Sequence, residues 1–438
     1  MSEIVQVKGR QMTVLMLSMF IFTLGFGIII PVIGYYTKSM GAGALELGLL
    51  MASMSAMQFL FAPLWGRISD RIGRKPVLLA GLLGFSLTFI IVGFSTQLWM
   101  LFVALIIGGI LTAGIWPAVL AYIADITTFE DRGRLMGYAG AASGLGIIAG
   151  PAISSVLTTW GMTVPFFTSA ALGLVTAIAG SLFLPESLRQ DRRAGMEKKM
   201  PSQTLSTLRT PLGLFFFLML FATFALACID TTYVYFISDR FGMSELPSGM
   251  PFLGGHLVLT GPNVLGIIFT AMGLIAVVSQ LAVGTMMQKY GEEKTIVFGF
   301  GVLCAGMALV VVTVDLASLV LVTCLIALGG NLLNPAINTL VSKRSPEDQQ
   351  GATMGLLGSF NSIGRVLGPS IGGFAYVTSM LLPYLGSAAI ALASMAMLRF
   401  RAPGGASKNV LATVDSKPVV SRAQTAQTAQ TAQTVEDC

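Results

Sequence analysis

Apolar stretches of bilayer-crossing length, separated by polar breaks, follow one another along most of this chain. Twelve of them, each of ~20 residues, fall near 13–36, 45–65, 76–95, 98–122, 134–157, 162–184, 212–237, 264–287, 294–313, 316–341, 351–377 and 380–399. Runs of this length read as spanning helices, so the fold class is an all-α membrane protein with twelve transmembrane helices. Residues 185–211 form a linker: Pro185-Glu186-Ser187 is followed by the basic run Arg189, Arg192, Arg193, Lys198 and Lys199. That run is either a solvated cytoplasmic segment or a contact for anionic lipid. Six spans on each side of it return the chain to the same face, which gives parallel six-helix halves, 1–184 and 212–400. From 401 to 438 the chain is polar and carries a Thr-Ala-Gln repeat from Thr425 to Thr434, expected to be disordered in the cytoplasm.

Charge orients the spans. The chain holds 26 Lys and Arg; with the N-terminus inside, 23 are cytoplasmic, Lys38 and Arg240 face out, and Arg365 lies within a span. This asymmetry places both termini in the cytoplasm and the protein in the inner or plasma membrane. The first run is too long for a signal peptide and lacks a cleavage pattern. Hydrophobic residues make up 54% and charged residues 11%, about half the usual charged share. That excludes an ordinary soluble domain, and with it a nucleic-acid binder, despite the net charge of +6. Four cysteines without paired spacing and a single His, His256, give no disulfide framework and no metal site. No nucleotide-binding motif or other cofactor signature is present.

The chain repeats itself at an offset of 218 residues. Gly137, Gly146, Gly150-Pro151 return as Gly355, Gly364, Gly368-Pro369; Pro117 returns as Pro335 and Gly66 as Gly284. Small residues one turn apart let helix backbones approach in lipid, and the proline permits a bend. The two copies read either as packing faces or as a moving interface between the halves. Between the second and third spans lies Gly66-Arg67-Ile68-Ser69-Asp70-Arg71-Ile72-Gly73-Arg74-Lys75. Here Gly66 and Gly73 are expected to allow tight geometry and Asp70 to cap a helix N-terminus. In the second copy Gln288 stands in place of Asp70.

Polar and charged side chains within spans concentrate in the second half. Asp230 is the only carboxylate far from either membrane interface, which makes it a functional candidate or one partner of a structural ion pair. Arg365 needs an acidic partner, and Asp230 is the candidate. Asn331, Asn334 and Asn338 share one face of the tenth span; Asn361 lies one turn before Arg365. Trp116, Tyr233 and Phe224 are expected to line a cavity. Met51, Met54 and Gln58 form either an adaptable surface or a plain packing face.

These motifs resemble those of the major facilitator superfamily, in its twelve-helix drug/proton antiporter branch of multidrug and tetracycline-type exporters. The likeness covers roughly residues 10–400. The loop Gly66–Lys75 is similar to the superfamily's signature loop almost residue for residue. The Gly146–Pro151 and Gly364–Pro369 segments resemble the antiporter motif, Gly25 with Pro31 the first-helix motif, and Asp230-Thr231-Thr232-Tyr233 the acidic site of the seventh helix. The resemblance implies secondary export of small lipophilic compounds, cations among them, by alternating access, with proton influx, in a monomer that is not an enzyme. It implies that Asp70, Arg71 and Arg74 form a charge latch closing the cytoplasmic side, on one half only. Two positions depart from the pattern: Leu105 and Asn331 stand where relatives carry Arg and an acid. Asp230 and Arg365 are then the expected proton switch, separated and rejoined as the halves rock. A facilitator or lipid flippase without obligatory proton coupling is the first rival reading, and a non-transporting receptor the second.

Overall fold

The computed structural model describes residues 2–127, 129–187, 212–345 and 350–401, with side chains over 12–127, 135–136, 138–187, 212–345 and 353–399. The basic linker run, the Thr-Ala-Gln tail and the side chains of Arg132 and Arg134 lie outside them. The first half comprises α1 Ser2–Ser39, α2 Ala44–Ile72, α3 Arg74–Phe94, α4 Leu98–Thr112, α5 Ile115–Ile126, α6 Phe129–Leu157 and α7 Val164–Phe183. The second comprises α8 Gly213–Phe241, β1 Ser248–Phe252, β2 Gly255–Leu259, α9 Gly261–Tyr290, α10 Glu292–Leu309, α11 Leu316–Arg344, α12 Gln350–Thr378 and α13 Leu382–Arg401. Eleven described segments are long and apolar enough to cross a membrane, with α4 and α5 together making one crossing. The twelfth crossing is α12, 29 residues long. Asn361, Arg365 and its many glycines and serines hold its hydropathy below that of the others.

Two expectations about local structure are corrected. The fourth span is broken at Ala113–Gly114 rather than continuous. Pro117 has no N–H and its ring crowds the carbonyl of Ala113, which favours the break there, although Pro335 at the same place in the repeat lies inside the continuous α11. Trp65 of α2 donates its indole N–H to the carbonyl of Ile110 at 2.6 Å, satisfying an acceptor in the last turn of α4. The segment between α8 and α9, expected as a loop, holds an antiparallel hairpin in which Pro251 faces His256. Leu253 and Gly254 form its tip with φ of 45° and 84°, the left-handed pair a two-residue turn requires. Asp315 fastens that tip. Its carboxylate accepts the Ser318 amide at 2.9 Å, capping α11, and the Leu253 amide at 3.2 Å. The Ser318 hydroxyl, then the two amides, hold the Asp315 carboxyl below the usual carboxylate range.

Within the halves, α1 packs on α6 and α7, and α8 on α12; between them, α2 packs on α12 and α9 on α6. The offset of 218 turns one crossing into the other, since Gly48 of α2 corresponds to Gly266 of α9 and Pro151 of α6 to Pro369 of α12. The molecule therefore has two unlike ends: a linker end, with the turn around Gly73, and a hairpin end, with β1 and β2.

Candidate functional site

Asp230 is the only exposed residue of α8 between Leu218 and Ile237, yet protein surrounds it. The open space it faces thus lies inside the molecule, midway along a span. Arg365, in the middle of α12, is exposed as well and is the charge acting on Asp230. Among the described residues neither makes a hydrogen bond or an ion pair. The expected pair is therefore not closed in this conformation, and helix register is the reason. Gly364 packs on the backbone of Leu220 and Phe224, Gly368 on Phe224 and Ala227, and Gly372 on Cys228. The parallel helices so locked set Arg365 level with Thr223, about seven residues or ~10 Å along the axis from Asp230. Both helices belong to the second half. A rigid rocking of one half against the other would carry both charges together.

The asparagines divide. Asn361 donates to Thr223 Oγ1 at 3.0 Å and to Asn334 Oδ1 at 3.4 Å, closing a polar cluster at the level of Arg365. Asn331 and Asn338 turn back on their own helix, donating to the carbonyls of Ala327 and Asn334. Tyr233 does not line the cavity either: it is fully buried, its hydroxyl bonded to Thr323 Oγ1 at 3.0 Å and its ring against Phe236 and Tyr384. A buried phenol needs such a partner. Phe224 is buried under Gly364, whereas Trp116 is exposed on α5 just past the helix break. Met54 and Gln58 belong to packing, with the Met54 carbonyl against Gly109 and Gln58 donating to Thr112 Oγ1.

The glycines of the two repeats face inward on their own halves rather than across the interface. Gly146 and Gly150 lie on α1, where an added Cβ would meet the Phe20 carbonyl at 2.5 Å and the Gly27 carbonyl carbon at 2.4 Å. Gly364 and Gly368 do the same on α8. It is the proline carbonyls that meet the other half: Pro369 O lies 2.2 Å from a Cβ built on Gly48, and Pro151 O 2.9 Å from one on Gly266. Gly48 and Gly266 were not singled out from the sequence, although the 218-residue offset relates them. Of the first-helix motif, Gly25 sits under Phe85 and gives its carbonyl to Ser169 at 2.8 Å, and Pro31 is buried inside α1.

The halves join firmly at the hairpin end. Tyr235 of α8 donates to the Ala42 carbonyl at 2.9 Å, and Lys38 of α1 bonds Ser238 Oγ and lies 3.8 Å from Asp239, which Tyr376 also engages at 2.9 Å. At the linker end the described helix glycines are open. A Cβ on Gly66, Gly140, Gly284 or Gly358 would meet no atom within 4 Å. The tight geometry expected of Gly66 is absent, because nothing lies against that face.

The charged cluster of the turn is built differently from expectation. Gly73, at φ 116°, separates α2 from α3. Glu186, not Asp70, caps α3, its carboxylate accepting the amides of Arg74 at 2.9 Å and Lys75 at 3.2 Å. Asp70 lies one turn back in α2 and pairs with Arg74 at 2.5 Å; Arg74 also reaches Asp125 at 3.1 Å. Arg71 is exposed. These ion pairs lie within the first half. The second half keeps an analogue at the same offset with the charges exchanged: Glu292 takes the place of Arg74 and Lys343 that of Asp125, and the two pair. Asp70 itself has no acidic counterpart there, since Gln288 stands at its place.

The profile of the Major Facilitator Superfamily matches residues 15–261 and 250–430. "Multidrug resistance protein 2" of Bacillus subtilis (strain 168) is 31% identical over 85% of this chain and 90% of its own length. "Tetracycline resistance protein, class B" of Escherichia coli is 30% identical over 82% of this chain and 86% of its own. The crystal structure of the nucleoside transporter NupG superposes with a TM-score of 0.72 at 13% identity, over 91% of this chain and 100% of that one, and so shares the fold. With two six-helix halves and relatives spanning most of its length, the chain belongs to the major facilitator superfamily, a family of transporters and not of enzymes.

Proposed function

We propose that the protein exports small lipophilic, drug-like compounds by alternating access, with protons moving in the opposite direction. The observation carrying this reading is the asymmetry of the two crossings: halves joined at the hairpin end, glycines bare at the linker end, and Asp230 and Arg365 unpaired in the open space between. The names of the two relatives, multidrug and tetracycline resistance proteins, support the class of substrate. The basic-residue distribution supports a cytoplasmic linker end, and the inner or plasma membrane is the location that goes with this reading.

Bare glycines on both members of each pair, Gly66 with Gly358 and Gly284 with Gly140, fit a second state in which the linker ends close as the hairpin end opens. Because Asp230 and Arg365 ride on the same half, the change at Asp230 is not the loss of Arg365 but the side of the membrane it faces. A proton taken up from one side is then released to the other. Gly66→Leu together with Gly284→Leu should leave yield unchanged and slow export, since the added side chains meet nothing in the open state and obstruct only the closed one.

The test is drug accumulation in everted vesicles across an imposed pH gradient. Uphill accumulation that a protonophore collapses is expected. Asp230→Asn should abolish it while sparing downhill exchange. Undiminished uphill export by Asp230→Asn at several pH values would refute the proton role, and equilibration indifferent to the gradient would identify a facilitator.

A further inference from the structure

We infer that the central site is built for zwitterionic compounds, whose basic nitrogen pairs with Asp230 while an acidic group pairs with Arg365. This rests on the export reading and names its substrate class. The argument starts from two opposite charges that a membrane protein does not keep idle. A charge held away from bulk water needs a partner or a function, and both of these are without a partner among the described residues. They form no ion pair, because Gly364, Gly368 and Gly372 lock α12 against α8 with the backbones of the two residues at different levels, ~10 Å apart along the axis, although the charge of Arg365 still acts on Asp230. Nor does rocking alter that spacing, since α8 and α12 belong to one half.

The ligand is therefore what completes the site. A purely cationic compound on Asp230 would leave the guanidinium of Arg365 uncompensated in a closed cavity, and a purely anionic one on Arg365 would strand the carboxylate. One molecule bearing both charges at the ends of a rigid apolar body satisfies both. The levels also set its orientation. Asp230 lies nearer the joined hairpin end and Arg365 nearer the open linker end, so the basic nitrogen enters first and the acidic group trails. At the trailing end, Asn361, Asn334 and Thr223 already form a polar cluster one turn from Arg365, which suits an anionic group and its residual water.

The test uses the purified full-length protein in nanodiscs and three forms of one fluorescent aromatic amino acid whose amine and carboxyl stand at opposite ends of a rigid aromatic body, ~10 Å apart: the free zwitterion, its methyl ester and its N-acetyl derivative. The zwitterion should bind about ten- to a hundredfold tighter than either, the range of one charge-assisted hydrogen bond. Arg365→Gln should reduce zwitterion binding to the level of the ester without changing ester binding. Asp230→Asn should reduce it to the level of the N-acetyl form, and Arg365→Lys should restore part of the preference. Ester binding as tight as that of the zwitterion in the unmodified protein would overturn the inference. So would no binding of any of the three, or an equal loss for ester and zwitterion in Arg365→Gln. Vesicle flux, measured separately, tests export: charge-selective binding without flux would refute the export reading and leave the ligand class standing.

Discussion

The two halves carry the same ion pair in opposite polarity. In the first, Arg74 is the cation and Asp125 the anion, with side chains 7% and 14% exposed. In the second, Lys343 is the cation, 66% exposed, and Glu292 the anion, 21% exposed. A duplicated fold thus keeps a bridge at this place while leaving its sign free. What differs is the surroundings. Arg74 gathers Asp70, Ser69 and Asp125, and its own amide is held by Glu186. Lys343–Glu292 has beside it the exposed pair Arg344–Glu293. The first is a network around the buried Arg74, with the side chain of Asp125 14% and that of Asp70 44% exposed; the second is two surface pairs in which Glu292 and Glu293 also suit the N-terminus of α10.

The largest expected effect follows from that burial. Arg74→Ala leaves Asp125 without its cation and should destabilise the protein by about 3–5 kcal/mol, read as thermal unfolding in detergent. Lys343→Ala should cost about 0–1 kcal/mol. Equal losses would remove the distinction. Exchanging charges is the next test. Glu292→Lys with Lys343→Glu should regain nearly all the stability lost by either single change. Arg74→Asp with Asp125→Arg should regain little, because Asp70 and Glu186 then face an added carboxylate.

The turns give a smaller effect. Gly73 and Gly291 both adopt positive φ, 116° and 84°. Ala at either should cost about 1–3 kcal/mol in backbone strain. At Gly73 a Cβ would also lie 2.3 Å from Glu186 Oε2, whereas at Gly291 it meets nothing within 4 Å. Gly73→Ala should therefore be the more damaging, and comparable melting temperatures would show that the Glu186 cap contributes little.

The smallest effect concerns the hairpin, present only in the second half. The Asp315 carboxyl is held below its ordinary range, so its contribution is present above that range and fades as pH falls through the lowered value. Protease cleavage of the hairpin should rise on acidification in the unmodified protein, and be high and insensitive to pH in Asp315→Ala.

Much was legible in the chain alone. Twelve apolar runs, an even division about the linker and the offset of 218 dictated two parallel six-helix halves, because lipid leaves the backbone no partner but its own helix. Asp230 stood out for the same reason, as a carboxylate too costly to leave in a span without a role. Pro117 also carried a local message, a broken fourth span, that a hydropathy window averages away. Other features had a readable signal that only pairing made visible: Gly48 and Gly266, and Arg74–Asp125 with Glu292–Lys343, are related by the same offset as the glycine-proline segments.

Tertiary structure alone decided who meets whom. The sequence determined that Gly146, Gly150, Gly364 and Gly368 permit close approach, but not that α1 and α8 fill the space while the adjoining proline carbonyls face the other half. It presented Asp70 as the cap of a helix N-terminus; the chain's return after α7 brings Glu186 to the amides of α3 and leaves Asp70 to Arg74. It placed Asp230 and Arg365 in neighbouring spans of one half, yet their separation depends on the register of α8 against α12. That register is set by glycines whose close contacts lie far apart in sequence. Composition and periodicity act along the chain and determine elements; partners and distances arise across it, where a shift of one turn joins two charges or leaves them for a ligand.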